Sequence, residues 1–413
     1  MNTRLNRREF LAGTALMTAP LAAALPMPAI AQNKPIRIGL LTVKTGPLAQ
    51  GGIQMEQGVN LFLKDRGNKI AGRDVELLIG DTGGNPAGTK TKAQELIERD
   101  NVDMIFGPLA AFELLAITDY VAARKTPILS LAAAEDMSQR KPNPYFVRAS
   151  GASAQNMHVL ADYAAKELKY KTVITISEDF AYGYEQMGGF QRVFEGAGGQ
   201  VMKKLWPPIV TPDYTPYIAQ LSGVDAVVQG FAGSNPLKFM KQYKDAGATL
   251  PVIGGGTAGD DALLKSFGDE AIGLITASAY TSDLDTPVNK QFIAGMVRET
   301  GFIPGLYAAG LYINGMIAEA ALQTLGGKTD DRDAVIKAMR AVSLTDSPRG
   351  AFHFDHLGNV VGNVFIRRLE RKDGKLVQTT IKTYPNVSQF WTFDEKWFLE
   401  QPVYSRDYPA LKS

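Results

Sequence analysis

Residues 102–136 read VDMIFGPLAAFELLAITDYVAARKTPILSLAAAED, and this stretch decides the fold. Val102 to Phe106 is a short apolar run ended by Gly107-Pro108. A helical pattern follows, with Leu114, Leu115, Ile117 and Val121 spaced for one buried face. Thr126 to Leu131 is a second strand pattern, closed by Ala132-Ala133-Ala134. Strand, turn, helix, strand, turn is the repeating unit of a parallel α/β sheet, whose ligands bind beyond the carboxyl ends of the strands. Both strand ends here carry residues small enough to bring backbone N–H groups close to a guest.

The same unit recurs on either side. Ile36 to Leu41 and Val75 to Ile79 are strands, each followed by a helical segment, the second begun by Asn85-Pro86. Beyond a helix over 151–168 the pattern restarts. Strands are predicted over 171–176, 201–206, 225–231, 251–253 and 272–276, with Gly254-Gly255-Gly256 ending the fourth. Residues 287–340 read as helices, and 350–383 as hairpins turning at 355–359 and 372–374. Phe390, Trp391, Phe393, Trp397 and Phe398 then mark a tail packed over a lobe rather than a surface for a partner. The chain thus holds two similar α/β units without a detectable sequence repeat.

Composition is that of an ordinary globular protein, 45% apolar and 21% charged, and 413 residues suffice for two cores. Net charge is +2, and the first 31 residues hold three Arg and one Glu, so the remainder is balanced. A neutral body speaks against nucleic acid as a partner. The chain has no Cys, which excludes disulfides, thiol chemistry and Cys-ligated metals. Arg7-Arg8-Glu9-Phe10-Leu11, an Ala-rich apolar run and Ala29-Ile30-Ala31 make an export leader of twin-arginine type, cleaved after Ala31. Pro20, Pro26 and Pro28 break the run below the ~20 residues a membrane anchor needs.

Chemistry-bearing motifs are absent. His353 and His356 sit in a hairpin without further ligands, so no metal site is expected. Gly254 to Gly256 lead into no Walker pattern, and Gly151, Gly188 and Gly189 make no dinucleotide fingerprint, so no cofactor is expected. Ser130, Ser153 and Ser177 stand in no nucleophile elbow. An exported α/β enzyme would need an acid, base or nucleophile at the strand ends, and those ends offer Ala, Gly and aromatics.

Ile38-Gly39-Leu40-Leu41 with Thr45-Gly46-Pro47-Leu48-Ala49 resembles the start of periplasmic binding proteins of the branched-chain amino acid type, the soluble receptors of ABC importers. The likeness continues through Ile70 to Leu77, Asp81 to Pro86, Phe106-Gly107-Pro108, Tyr182-Gly183 and Lys241 to Gly247. It implies an α/β fold of two Rossmann-like lobes with parallel sheets, joined by a three-segment hinge that closes on a ligand. Lobe 1 is then expected over 33–149 and 283–349, lobe 2 over 150–282 and 350–382, and the tail over 383–413. The implied protein is a periplasmic monomer that delivers a small solute to an ABC permease. A ligand sensor of the same fold differs only in its partner.

The family's amino acid receptors hold an α-carboxylate with hydroxyls and N–H groups of lobe 1, and an α-ammonium with an acid of lobe 2. On this sequence the hydroxyl positions fall on Ala111 and Ala134, the acid near Gly256, and an aromatic position on Gly51. The expected lining is Gln50, Ala110, Ala111, Phe112, Ala132, Ala133, Ala134, Tyr182, Phe231, Gly256 and Tyr307. An ammonium buried without a counter-charge is costly. A small organic acid without one fits these residues, an aromatic acid best, with branched-chain amino acids as the alternative.

Overall fold

A computed structural model describes residues 34–412, so the leader lies outside the described residues. The first sheet is built from β1 (Ile36–Thr42), β2 (Lys69–Ile70), β3 (Arg73–Asp81), β4 (Met104–Phe106), β5 (Ile128–Leu129) and β6 (Phe146–Val147). Its order is β2-β3-β1-β4-β5-β6, and every pair except β2–β3 is parallel. The strands β1, β4 and β5 are apolar almost throughout because helices cover both faces of the sheet. Those helices are α1 (Ala49–Asp65), α2 (Pro86–Gln94) and α3 (Ala111–Ala123). Asn85 caps α2 by accepting from the Gly88 N–H at 2.8 Å, with Pro86 at the first helical position, as the sequence predicts.

The chain then crosses into the second lobe through α4 (Ser153–Lys166), β7 (Thr172–Ser177), α5 (Ala181–Gly196), β8 (Gln200–Leu205), α6 (Thr215–Ile218), β9 (Ala226–Gly230), α7 (Asn235–Asp245), β10 (Val252–Gly255) and β11 (Ile275–Ser278). It returns to the first lobe for α8 (Pro287–Thr300), α9 (Leu306–Thr324) and α10 (Arg332–Arg340), where α9 shares a core with α1, β1 and β4. Last come β12 (Ser343–Leu344), β13 (Phe352–Phe354), β14 (Val360–Lys372), β15 (Lys375–Val387) and α11 (Glu395–Glu400). The second sheet runs β12-β13-β14-β11-β10-β9-β7-β8, with β15 paired to β14. Its β7 to β11 pairs are parallel and its later strands antiparallel. The architecture is therefore two α/β lobes with mixed, mostly parallel sheets, as read from the sequence.

Several details differ from that reading. The 126–131 strand shrinks to β5, because the Ser130 hydroxyl donates to the Pro108 carbonyl and accepts from the Ala132 N–H, ending the ladder. The 272–276 strand starts at Ile275, since Gly273 at φ +88° turns the chain just before it. β12 bonds into the second sheet, although it falls within the 283–349 segment expected in lobe 1. β15 continues to Val387, past the expected start of the tail at 383. The tail packs on α4 and α5, where Phe390, Phe398 and Tyr404 are buried and the Arg192 guanidinium lies 4.8 Å from the Tyr404 ring centre. Among the described residues no helix is long and apolar enough to cross a membrane.

Candidate ligand-binding cleft

A cavity of about 880 Å³, counting its open mouth, lies between the lobes. Lobe 1 supplies the starts of α1, α3 and α9 and the turn after β5; lobe 2 supplies the starts of α4 and α5 and the ends of β10 and β11. These are the carboxyl ends of strands and the amino ends of helices, as a parallel sheet dictates.

Of the residues singled out from the sequence, Ala110, Ala111, Ala133, Tyr182, Gly256 and Tyr307 line this cavity. At the start of α3, the buried Glu113 carboxylate accepts from the Ala110 N–H at 2.9 Å and from the hydroxyls of Thr82 and Thr89. Burial pushes the Glu113 carboxyl up, opposed by those hydrogen bonds. The next N–H groups, of Ala111 and Phe112, have no intrahelical acceptor, as in any first helical turn. The 132–134 turn is fixed from behind by Arg148, which is fully buried. Its Nε donates to the Ala132 carbonyl at 3.1 Å, and its Nη2 to those of Ala133 and Ala134, both at 2.6 Å. All three carbonyls are thus turned to a guanidinium that is not part of the cavity wall.

Behind the same turn, Glu185 of α5 accepts from the Glu135 N–H and the Ser153 hydroxyl, and Glu135 accepts from the Ala154 N–H. Burial, then the neighbouring Glu185, pushes Glu135 up to about 8; burial pushes Glu185 up to about 7.

The other expected residues lie elsewhere. Phe231 is a correction. Its ring is fully buried in the lobe 2 core, 5.0 Å from Tyr214 and 4.9 Å from Phe239 between centres, and only its carbonyl reaches the site, accepting from Thr257 Oγ1. Phe112 stands behind the wall, edge-on to Phe180, which does line the cavity and stacks on Tyr182. Ala132 and Ala134 are buried in the lobe 1 core and contribute no lining. Gln50 faces a second cavity, between α1, α8 and residues 262–266.

Sequence reasoning missed Arg349, on the crossing from β12 to β13. It lines the cavity and is 2% exposed. Its Nη1 donates to the Ala149 carbonyl, its Nη2 to that of Asn363 at 3.1 Å, and its Nε has no partner. Burial alone lowers it, to about 10, so the side chain stays charged at neutral pH. Among the described lining residues none is Asp or Glu. The walls are otherwise mainly alanine, leucine and aromatic side chains, with Ser150, Ser153, Asn156, Gln186, Thr257 and Ser278 as uncharged polar members. Tyr182 bonds the Thr257 hydroxyl and accepts from Gln186 Nε2 at 2.8 Å, which sets the angle of one aromatic wall. The site is therefore a largely apolar slot with a few neutral polar groups and one buried cation.

Two α/β lobes with such a slot between them define a solute receptor. The chain matches the periplasmic binding protein family over residues 35–375 and belongs to it. It is a substrate-binding protein of an ABC transporter, not an enzyme, and the family places it in the periplasm. A curated relative, the Leu/Ile/Val-binding protein homolog 6 of Brucella suis, is 27% identical over 91% of this chain and 96% of its own length. A solute-binding protein of an ABC transporter from Rhodopseudomonas palustris BisB5, solved with 3,4-dihydroxybenzoic acid, is 32% identical with a TM-score of 0.82, covering 86% of this chain and 98% of that one. Another from R. palustris, solved with 4-hydroxybenzoate, is 28% identical with a TM-score of 0.81 over 86% and 98%.

Proposed function

We propose that this receptor captures a small aromatic carboxylate between its lobes and hands it to a membrane permease. The observation that carries this reading is the charge of the slot: a buried Arg349 with no acid partner, and no carboxylate on the lining. A cation in a low-dielectric wall favours an anionic guest, and the attraction does not require direct contact. An α-ammonium would meet no counter-charge, and the acid position expected near Gly256 is taken by glycine. Tyr182, Phe180 and Tyr307 provide flat walls, and ring contacts add about 0.5–1.5 kcal/mol beyond area burial. The two R. palustris neighbours hold hydroxybenzoates, which supports the same class. Export through the twin-arginine leader, release after Ala31 and action as a monomer complete the reading.

Branched-chain amino acids are the second reading, favoured by the names of the Brucella relatives. Isothermal titration of the mature protein with benzoate, 4-hydroxybenzoate and 3,4-dihydroxybenzoate, beside leucine, isoleucine and valine, separates the two. The expected outcome is saturable binding of at least one aromatic acid and none of the amino acids. Tight leucine binding with no response to any aromatic acid overturns the proposal.

A further inference from the structure

Beside the cavity, two of the contacts between the lobes are each made possible by a glycine. At the first, Asp260 of lobe 2 lies just past the turn Gly256–Gly259. Its Oδ2 accepts from the N–H of Leu306, the first residue of α9 in lobe 1, at 2.8 Å. Its Oδ1 accepts from its own lobe, from the Ala262 N–H at 3.1 Å. An acid at a helix amino end meets both a free N–H and the positive end of the dipole. Gly305 precedes Leu306, and a Cβ there would overlap the Asp260 carboxylate outright. Its φ of −99° suits any residue, so closeness to the other lobe is what excludes a side chain.

At the second point, the Pro47 carbonyl of lobe 1 accepts from the Ser234 N–H of lobe 2 at 3.1 Å. Gly233 has φ +60°, and a Cβ on it would overlap that carbonyl. The contacts adjoin the binding slot along the chain. Leu48 follows Pro47, Ala232 precedes Gly233, Tyr307 follows Leu306 and Thr257 lies three residues before Asp260; all four line the cavity.

We infer that Asp260–Leu306 and Pro47–Ser234 form a two-point clasp that holds the lobes together over a bound solute, with Asp260 as its positioning residue. Of its four residues only Leu306 lines the cavity, and it joins the clasp through its backbone N–H. The clasp acts by fixing the distance between the wall carrying Leu48 and Tyr307 and the wall carrying Ala232 and Thr257. Solute affinity therefore depends on Asp260, Pro47 and Ser234, which lie outside the slot, and loss of either contact appears as faster release. Only the choice of probe rests on the aromatic-acid reading; the clasp itself does not.

The test uses the mature protein with Asp260→Ala, with Gly305→Val, which attacks the same contact from the opposite lobe, and with Gly196→Ala, whose surroundings are empty, as control. A hydrogen bond to a charged group contributes about 1.5–3 kcal/mol. Both clasp variants are accordingly expected to weaken 4-hydroxybenzoate binding by about tenfold to a hundredfold, chiefly through the dissociation rate, while Gly196→Ala matches wild type. Melting of the ligand-free variants close to wild type shows that the lobes still fold. Hydrogen exchange of the peptide spanning 304–308 is read in parallel without solute, and Asp260→Ala is expected to speed exchange at Leu306. If wild type ignores 4-hydroxybenzoate, whichever aromatic acid it binds replaces the probe; if it binds none, the aromatic reading falls and the exchange arm alone decides the clasp. Unchanged exchange at Leu306, or unchanged release of a bound probe in both variants, overturns it.

Discussion

Replacing Arg349 with methionine is expected to weaken binding of 4-hydroxybenzoate by about 2–5 kcal/mol, the usual cost of removing one member of a buried charge pair. That is a loss of at least about thirtyfold in Kd. The neutral 4-hydroxybenzamide, which has the same ring and nearly the same volume, is expected to bind wild type weakly and to be almost insensitive to the substitution. Arg349 also ties two carbonyls, those of Ala149 and Asn363, so the variant is expected to melt earlier. Arg349→Lys separates the two effects. It keeps the charge while losing the planar fork, and is expected to retain more acid affinity than the methionine variant. Equal losses for acid and amide in Arg349→Met would leave the guanidinium a purely structural role and remove the electrostatic basis of the proposed ligand class.

Arg148→Met is expected to have the largest effect on stability. The guanidinium is fully buried and spends its donors on the carbonyls of Ala132, Ala133 and Ala134, on the Ser138 hydroxyl and on Asn359 Oδ1. Removing it strands those acceptors in the core, and it takes away the positive neighbour of Glu135 and Glu185. A loss of about 3–5 kcal/mol is expected, as for other broken buried charge clusters. Denaturant titration followed by circular dichroism measures it. Because the 132–134 turn is part of one cavity wall at Ala133, solute affinity is expected to fall in the same variant. A stability change under about 1 kcal/mol would mean that waters or neighbouring groups replace the guanidinium with little penalty.

The lobes were legible in the sequence because the central strands β4, β5, β9 and β10 are short apolar runs stopped by Gly, Pro or Ala. Ala110, Ala111 and Ala133 could be placed at the cavity for the same reason: the end of a parallel strand has a fixed place in the fold. Phe231 shows the limit of that argument. It follows the last residue of β9, where alternation no longer tells which way a side chain points, and the rings of Tyr214 and Phe239 draw it inward. Arg349 was illegible for a different reason. Its functional neighbour Ala149 is 200 residues away, and the local sequence Ser347-Pro348-Arg349-Gly350 is an ordinary turn. Its one signal was position, a lone cation on a segment that the family resemblance makes a hinge crossing. Asp260 was hidden likewise, since an acid after a glycine-rich turn reads as a cap for its own turn, and it does cap Ala262.

The C-terminal tail is fastened at two places. Arg140, between β5 and β6, donates to the carbonyls of Gln401 at 2.8 Å and Phe398 at 3.1 Å. Arg192 of α5 lies among the rings of Trp397, Phe398, Tyr404 and Tyr408. One anchor belongs to the first lobe and the other to the second, so the tail ties the two lobes together. A joint held by three crossings alone can both swing and twist; a further tie between the lobes is expected to restrain the twist. The ligand-free receptor is then expected to sample a narrower family of openings, and capture of a solute to forfeit less freedom than in an untied pair of lobes.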